Sequence, residues 1–222
     1  MAIPKIGDLL TLSHTLAAPL FEGKRYPWEI LPELKDFIRK LGATLSPEEY
    51  DEVSPEVWVH KTARVAPSAL IAGPTVIGAG TEVRHCAFIR GSALVGEGCV
   101  VGNSTEIKNA VIFDGVQVPH YNYVGDSILG FRSHMGAGVV ASNFRSDKGN
   151  VNVHDGNETI ETGLRKLGAI LGDGSDVGCN SVLCPGSVVG RDCIVYPLSR
   201  VRGYLPERSI YKGDGVVVPR KI

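Results

Sequence analysis

The chain has 222 residues, a net charge of −1 and 43% apolar residues, with 23 Lys and Arg set against 24 Asp and Glu. That balance supplies neither a basic surface for nucleic acid nor a polybasic run for a membrane. No apolar run approaches the ~18 residues of a membrane span and no signal-peptide pattern opens the chain, so the expectation is a cytoplasmic protein of one or two domains.

Residues 1–56 are expected to form a small helical cap. Ile6 to Leu20 and Trp28 to Leu41 have helical spacing, the second with Trp28, Leu31, Leu34, Phe37, Ile38 and Leu41 on one stripe. Gly42 follows as a C-cap, and Ser46-Pro47-Glu48-Glu49 resembles the start of a short helix. The segment is expected to plug the open end of whatever follows; a substrate arm is the other reading.

From Val59 a different rhythm begins. Val59, Val65, Ile71, Ile77, Val83, Ile89, Val95, Val101 and Ile107 recur at every sixth position, a beat that neither a helix nor a half-buried strand produces. Four residues past each sits a small or branched partner, from Ala63 through Cys99 and Thr105 to Val111, and the beat returns from Leu171 to Val201. A chain that turns a corner every six residues and closes a triangular winding of about 18 does this, so the fold class is an all-β solenoid of hexapeptide repeats. It is expected over residues 57–203, with five-residue steps near Ile112 and Leu129. Between about residues 143 and 167 the beat disappears, and VNVHDGNETIET reads as a hairpin turning at Asp155-Gly156-Asn157, extruded over a neighbouring subunit's groove. Residues 204–222 are expected as a tail. The five cysteines include no CxxC pair, and Cys99 and Cys193 fall on the small inward position, where they read as core residues.

Polar residues interrupt the middle coils. Arg90 follows Ile89 and Lys108 follows Ile107, so the two cations stack one turn apart on one edge. Their repulsion is relieved if a phosphate sits between them, Arg as a fork and Lys as a point charge; two solvated surface cations are the plainer reading. Glu106, His120 and Tyr123 lie close by in sequence. A histidine near a carboxylate suits general-base work, though a structural corner histidine has equal standing. His85, His120 and His134 lack the spacing of the zinc-dependent γ-class carbonic anhydrases, so no metal is expected.

The stretches VGNSTEIKNA, PHYNYVGDSILG and HMGAGVVASN, with their HxxYxGD and GAGxxxxN elements, resemble the acetyltransferase domain of bacterial bifunctional N-acetylglucosamine-1-phosphate uridylyltransferase/glucosamine-1-phosphate acetyltransferase. They also resemble the acetyltransferase half of archaeal sugar-1-phosphate nucleotidylyltransferases. The similarity covers about residues 60–215 and implies left-handed coiling, a homotrimer and acetyl-CoA as co-substrate. It implies His120 as catalytic base and Glu106 as the carboxylate near the substrate amine. Arg90 and Lys108 would bind the sugar phosphate, with Tyr123, His134, Asn143 and Lys166 as further substrate contacts; Lys148 is the alternative to Lys166. Ala137, Cys179 and Pro197 would line coenzyme A. His134 stands where the family has Asn, and Cys179 where it has Ser. No Gly-rich GxGTR-like loop occurs in the first 60 residues, so the nucleotidyltransferase half is not expected. The resulting expectation is an N-acetyltransferase of glucosamine- or galactosamine-1-phosphate. The alternative is a non-catalytic sugar-phosphate-binding or oligomerisation solenoid partnering a nucleotidyltransferase.

Overall fold

The structure, a computed structural model, describes residues 3–221. The six-residue beat folds as the three parallel faces of a prism. The first face stacks Val57–His60, Thr75–Ile77, Ala93–Val95, the end of Glu106–Ile112, the end of Tyr123–Leu129, Ala169–Leu171, Ser187–Val189 and Tyr204–Leu205. The second face runs from Arg64–Val65 through Glu82–Val83, Val100–Asn103, Gln117–His120, His134–Met135, Asp176–Val177 and Ile194–Val195 to Ser209–Tyr211. The third stacks Leu70–Ile71, Phe88–Ile89, the starts of Glu106–Ile112 and Tyr123–Leu129, Val140–Ala141, Val182–Leu183 and Arg200–Val201. Ile77, Val83, Ile89, Val95, Val101 and Ile107 point inward and are at most 1% exposed. In the first coil the ladder lacks cover: Val65 is 38% exposed and Ile71 partly so.

After the first coil, the corner between the second and third faces is turned by a residue in the left-handed region: Cys86, Ser104, Tyr121, Gly138, Asn180 and Leu198. Only one of these is glycine, so stacking of the coils outweighs the local steric cost of a side chain at positive φ.

The first face is buried on both sides, because its outward residues Val76, Leu94, Val111, Ile128, Ile170 and Val188 are apolar and at most 1% exposed. The N-terminal segment covers them. It contains helices α1 (Ile6–Leu9) and α2 (Leu34–Gly42), joined by single 3-10 turns instead of the continuous helix expected from Ile6 to Leu20. Helix α2 lies against the strands at 75–77, 93–95 and 106–112. Farther along, Phe21 meets Phe113 edge-on, His14 stacks on Phe131 at 3.6 Å, and the Asp173 N–H donates to the Leu9 carbonyl at 3.0 Å. The Arg191 guanidinium reaches the carbonyls of Asp8 and Gly7. The segment is thus a strap along one flank, correcting the expectation of an end plug. A flat face several coils long is matched by short turns better than by one straight helix. Ser46–Glu49 is a turn, its Ser46 hydroxyl accepting from the Glu48 N–H at 3.2 Å, because the chain enters the strand Tyr50–Ser54 directly afterwards.

One further boundary differs from expectation. The coil does not end at Gly203: Tyr204–Leu205 and Ser209–Tyr211 continue two faces, and Val217–Pro219 closes antiparallel on the latter. The hairpin forms as read, with Asn152–His154 antiparallel to Thr159–Glu161. Its first strand lies down on its own chain, with Val151 and Val153 buried. Gly186 and Gly203, both at positive φ, permit this; a Cβ there would stand 2.6 Å from the Asn152 carbonyl oxygen and 2.8 Å from that of His154. No described helix is long and apolar enough to cross a membrane.

Cys99 sits in the core and donates its thiol to the Phe113 carbonyl at 3.1 Å. Burial pushes that thiol from the ordinary value of 9.0 up to about 12. Below pH ~9 folded and unfolded chains both hold the proton. Above it only the unfolded chain releases one, so stability falls as pH rises, by up to about 4 kcal/mol near pH 12. Urea midpoints taken at pH 7, 9 and 10.5 should decline, and Cys99→Ala should flatten that decline.

Candidate active site

The third face is the floor of the candidate site. Phe88, Glu106 and Tyr123 stand in register on its outer side, followed by Val140. At the corner where this face turns into the first, the Arg90 N–H donates to the Ile107 carbonyl and Lys108 pairs with Gly125, so the two cations project from adjacent rungs. The Arg90 guanidinium donates to Glu106 Oε1 at 2.7 Å, which raises its pKa further above the usual value. Lys108 Nζ lies 3.6 Å from Asp126 Oδ2.

Asp126 is a site residue that sequence reasoning left without a role. It is 5% exposed, sits at φ +48°, and accepts from Asn109 Nδ2 at 2.8 Å and Asn143 Nδ2 at 2.5 Å. Asn143 also donates to the Tyr123 hydroxyl at 3.2 Å, tying the two substrate candidates together. Burial raises the Tyr123 pKa, against the opposing pull of the Asn143 bond, and the phenol stays a neutral donor. Asp126 is the D that ends the HxxYxGD element, which was the available signal.

Arg90, Lys108, Tyr123, Asn143, Phe144 and Lys166 line one cavity of about 360 Å³. Lys166 arrives through a backbone bridge to Phe144 at the base of the hairpin, whereas Lys148 is not among the lining residues. Phe144, 41% exposed, is the second lining residue that sequence reading did not single out.

His120 is exposed and ends its second-face strand at the corner where that face turns into the third. Its carbonyl accepts from the Gly138 N–H at 3.0 Å, that of Ala137 from Asn180 at 2.8 Å, and that of Cys179 from Leu198 at 2.9 Å. His120, Ala137, Cys179 and Pro197 therefore follow one another in file up this corner. Between His120 and Gly125, the residue that pairs with Lys108, the chain turns the corner at Tyr121 and then runs as strand from Tyr123, so at most about 16 Å separates them. His134 does not join either edge. It lies on the second face between Gln117 and Asp176, with Nδ1 2.8 Å from Asp176 Oδ1, because the short turns bring it into register there. Within one chain it is not among the residues that line the cavity with Arg90 and Lys108. Among the described residues no three His, Cys, Asp or Glu side chains converge as a metal set.

The family model for the GMPPB C-terminal domain matches residues 81–213. A bifunctional protein GlmU of Methanococcus maripaludis is 31% identical over 199 residues, covering 88% of this chain and 48% of its own length. The chain thus spans about half the length of that relative. The uncharacterized acetyltransferase YaiX of Escherichia coli is 34% identical over 156 residues, covering 70% of this chain and 68% of its own. A solved hexapeptide transferase family protein from Anaplasma phagocytophilum superposes with a TM-score of 0.49 at 18% identity, covering 75% of this chain and 81% of that one. The matched span of the family model holds every cavity residue and the whole file from His120 to Pro197, and the chain belongs to this hexapeptide-repeat family of the GMPPB C-terminal domain.

Proposed function

We propose that the chain is an acetyl-CoA-dependent N-acetyltransferase of an amino-sugar 1-phosphate, glucosamine- or galactosamine-1-phosphate, working as a homotrimer. The reading concerns acetyl transfer only. The observation that supports it most is the opposition of the cationic cavity and His120 across one face. Arg90, Lys108 and Lys166 line a cavity at one end of this face, His120 stands at the corner that opens the other, and the outer side of Tyr123 lies on the floor between.

In this reading the phosphate lies between Arg90, Lys108 and Lys166, whose charge exceeds that of Glu106 and Asp126. Tyr123 and Asn143 hold ring hydroxyls, and the ring spans the floor so that its amine faces His120. The amine nitrogen attacks the thioester carbonyl, His120 takes the amine proton, and the C–S bond breaks as the sulfur leaves and is reprotonated. Backbone N–H groups near Ala137 polarise the carbonyl oxygen, and Cys179 and Pro197 continue the edge along which the acyl donor would extend. Glu106, bonded to Arg90, fixes the fork and faces the amine side of the ring.

Free thiol released from acetyl-CoA is the direct assay. Release is expected with glucosamine- or galactosamine-1-phosphate and at least tenfold less with the unphosphorylated amino sugars. Binding of a hexosamine 1-phosphate without any thiol release would replace the enzyme reading with that of a sugar-phosphate-binding module.

A further inference from the structure

A second cationic basin lies on the same edge, on the other side of Phe144. Its volume is about 430 Å³, and Arg145, Arg200, Arg202, Phe144, Asn152 and His154 are among its walls. Arg145 is engaged by Asp147 and by the Asn150 carbonyl. Arg200 and Arg202 differ: among the described residues no carboxylate lies within ion-pair distance of either guanidinium, although the whole chain carries a net charge of only −1. Two uncompensated cations two residues apart repel each other, and an anion between them removes that cost.

The basin is built by the hairpin. Asn152 and His154 stand over Arg200 and Arg202 only because Gly186 and Gly203 let the strand lie against the coil, where a side chain would collide with its carbonyls. The exposed ring of Phe144 adds a flat apolar wall of the kind on which a base stacks. Guanidiniums for phosphate, an aromatic plate, and amide and imidazole groups for sugar or base edges are the chemistry of a nucleotide pocket. The volume falls within the range of ligand sites, about 300–1,000 Å³.

We infer that this basin binds the phosphate-bearing nucleotide portion of a ligand, with phosphate on Arg200 and Arg202 and the base on Phe144. Two sources share that chemistry: the 3′-phosphoadenosine end of a coenzyme A donor, and the nucleoside diphosphate of an acceptor larger than a sugar 1-phosphate. The inference is a binding statement and stands apart from the proposed acetyl transfer.

Calorimetric titration of the full chain with adenosine 3′,5′-bisphosphate and, separately, with uridine diphosphate tests it. One or both should bind, with affinity that falls as salt rises. Arg200→Ala/Arg202→Ala should weaken binding at least tenfold, while Lys108→Ala in the neighbouring cavity leaves it within about twofold. Phe144→Ala should weaken nucleotide binding but leave that of inorganic pyrophosphate nearly unchanged. Preference for the bisphosphate assigns the basin to the donor, and preference for uridine diphosphate assigns it to the acceptor. Absence of binding by both nucleotides at millimolar concentration, or equal affinity in the double variant, overturns the inference whether or not acetyl transfer is observed.

Discussion

Replacing His120 by alanine should lower kcat for acetyl transfer by about 10²–10⁴-fold, the usual contribution of a positioned general base. The KM for the sugar phosphate should change little, because the groups proposed to hold the phosphate lie on the opposite edge. Steady-state thiol release separates the two parameters. Folding should be untouched: the imidazole is exposed, and what anchors the position is backbone. The His120 N–H donates to Asn122 Oδ1 at 3.1 Å and its carbonyl accepts from Gly138. Beneath it, a Cβ on Gly102 would stand 1.5 Å from the Pro119 carbonyl oxygen, so the rung carrying His120 sits as close as glycine allows. A loss of activity together with a lowered melting temperature would point to damaged packing; loss at unchanged stability points to lost proton transfer. A variant as active as the parent would remove His120 from the mechanism.

The prism was legible because one constraint repeats: each coil must return an apolar residue to the same inward position, and Val59 to Ile107 keep that beat without interruption. The cation pair was legible for the same reason, since counting from Ile89 and Ile107 puts Arg90 and Lys108 on one corner. The strap was not. Its signal is a second series, Val76, Leu94, Val111, Ile128, Ile170 and Val188, which marks a face apolar on both sides and so in need of cover. Read against the inward beat alone, those residues pass as ordinary strand neighbours. The place of His134 was not legible because a residue's face depends on accumulated register, and the shortened turns shift it to pair with Gln117 and Asp176. Asp126 and Phe144 act through contacts with Lys108, Asn143 and Lys166 that join separate coils and the hairpin base, which no local window contains.

Removing the cation pair should have the other large effect. A charge-assisted hydrogen bond to phosphate contributes about 1.5–3 kcal/mol, so Arg90→Ala and Lys108→Ala should each reduce kcat/KM by about 10- to 100-fold, and the double variant by about 10³-fold. The effects are not expected to add fully, because both side chains contact the same anion and their carboxylate partners are released together. Arg90→Ala frees Glu106, which is partly exposed and can be solvated. Lys108→Ala leaves the Asp126 carboxylate, whose side chain is 7% exposed, with the amides of Asn109 and Asn143 and no cation. That single variant should therefore also lose thermal stability, and Lys108→Arg should recover stability and part of the activity. The decisive comparison is between acceptors. If Arg90 and Lys108 bind phosphate, the double variant discriminates poorly between a hexosamine 1-phosphate and the free hexosamine, whereas the parent prefers the former strongly. Retention of the parental preference in the double variant would show that the phosphate is held elsewhere.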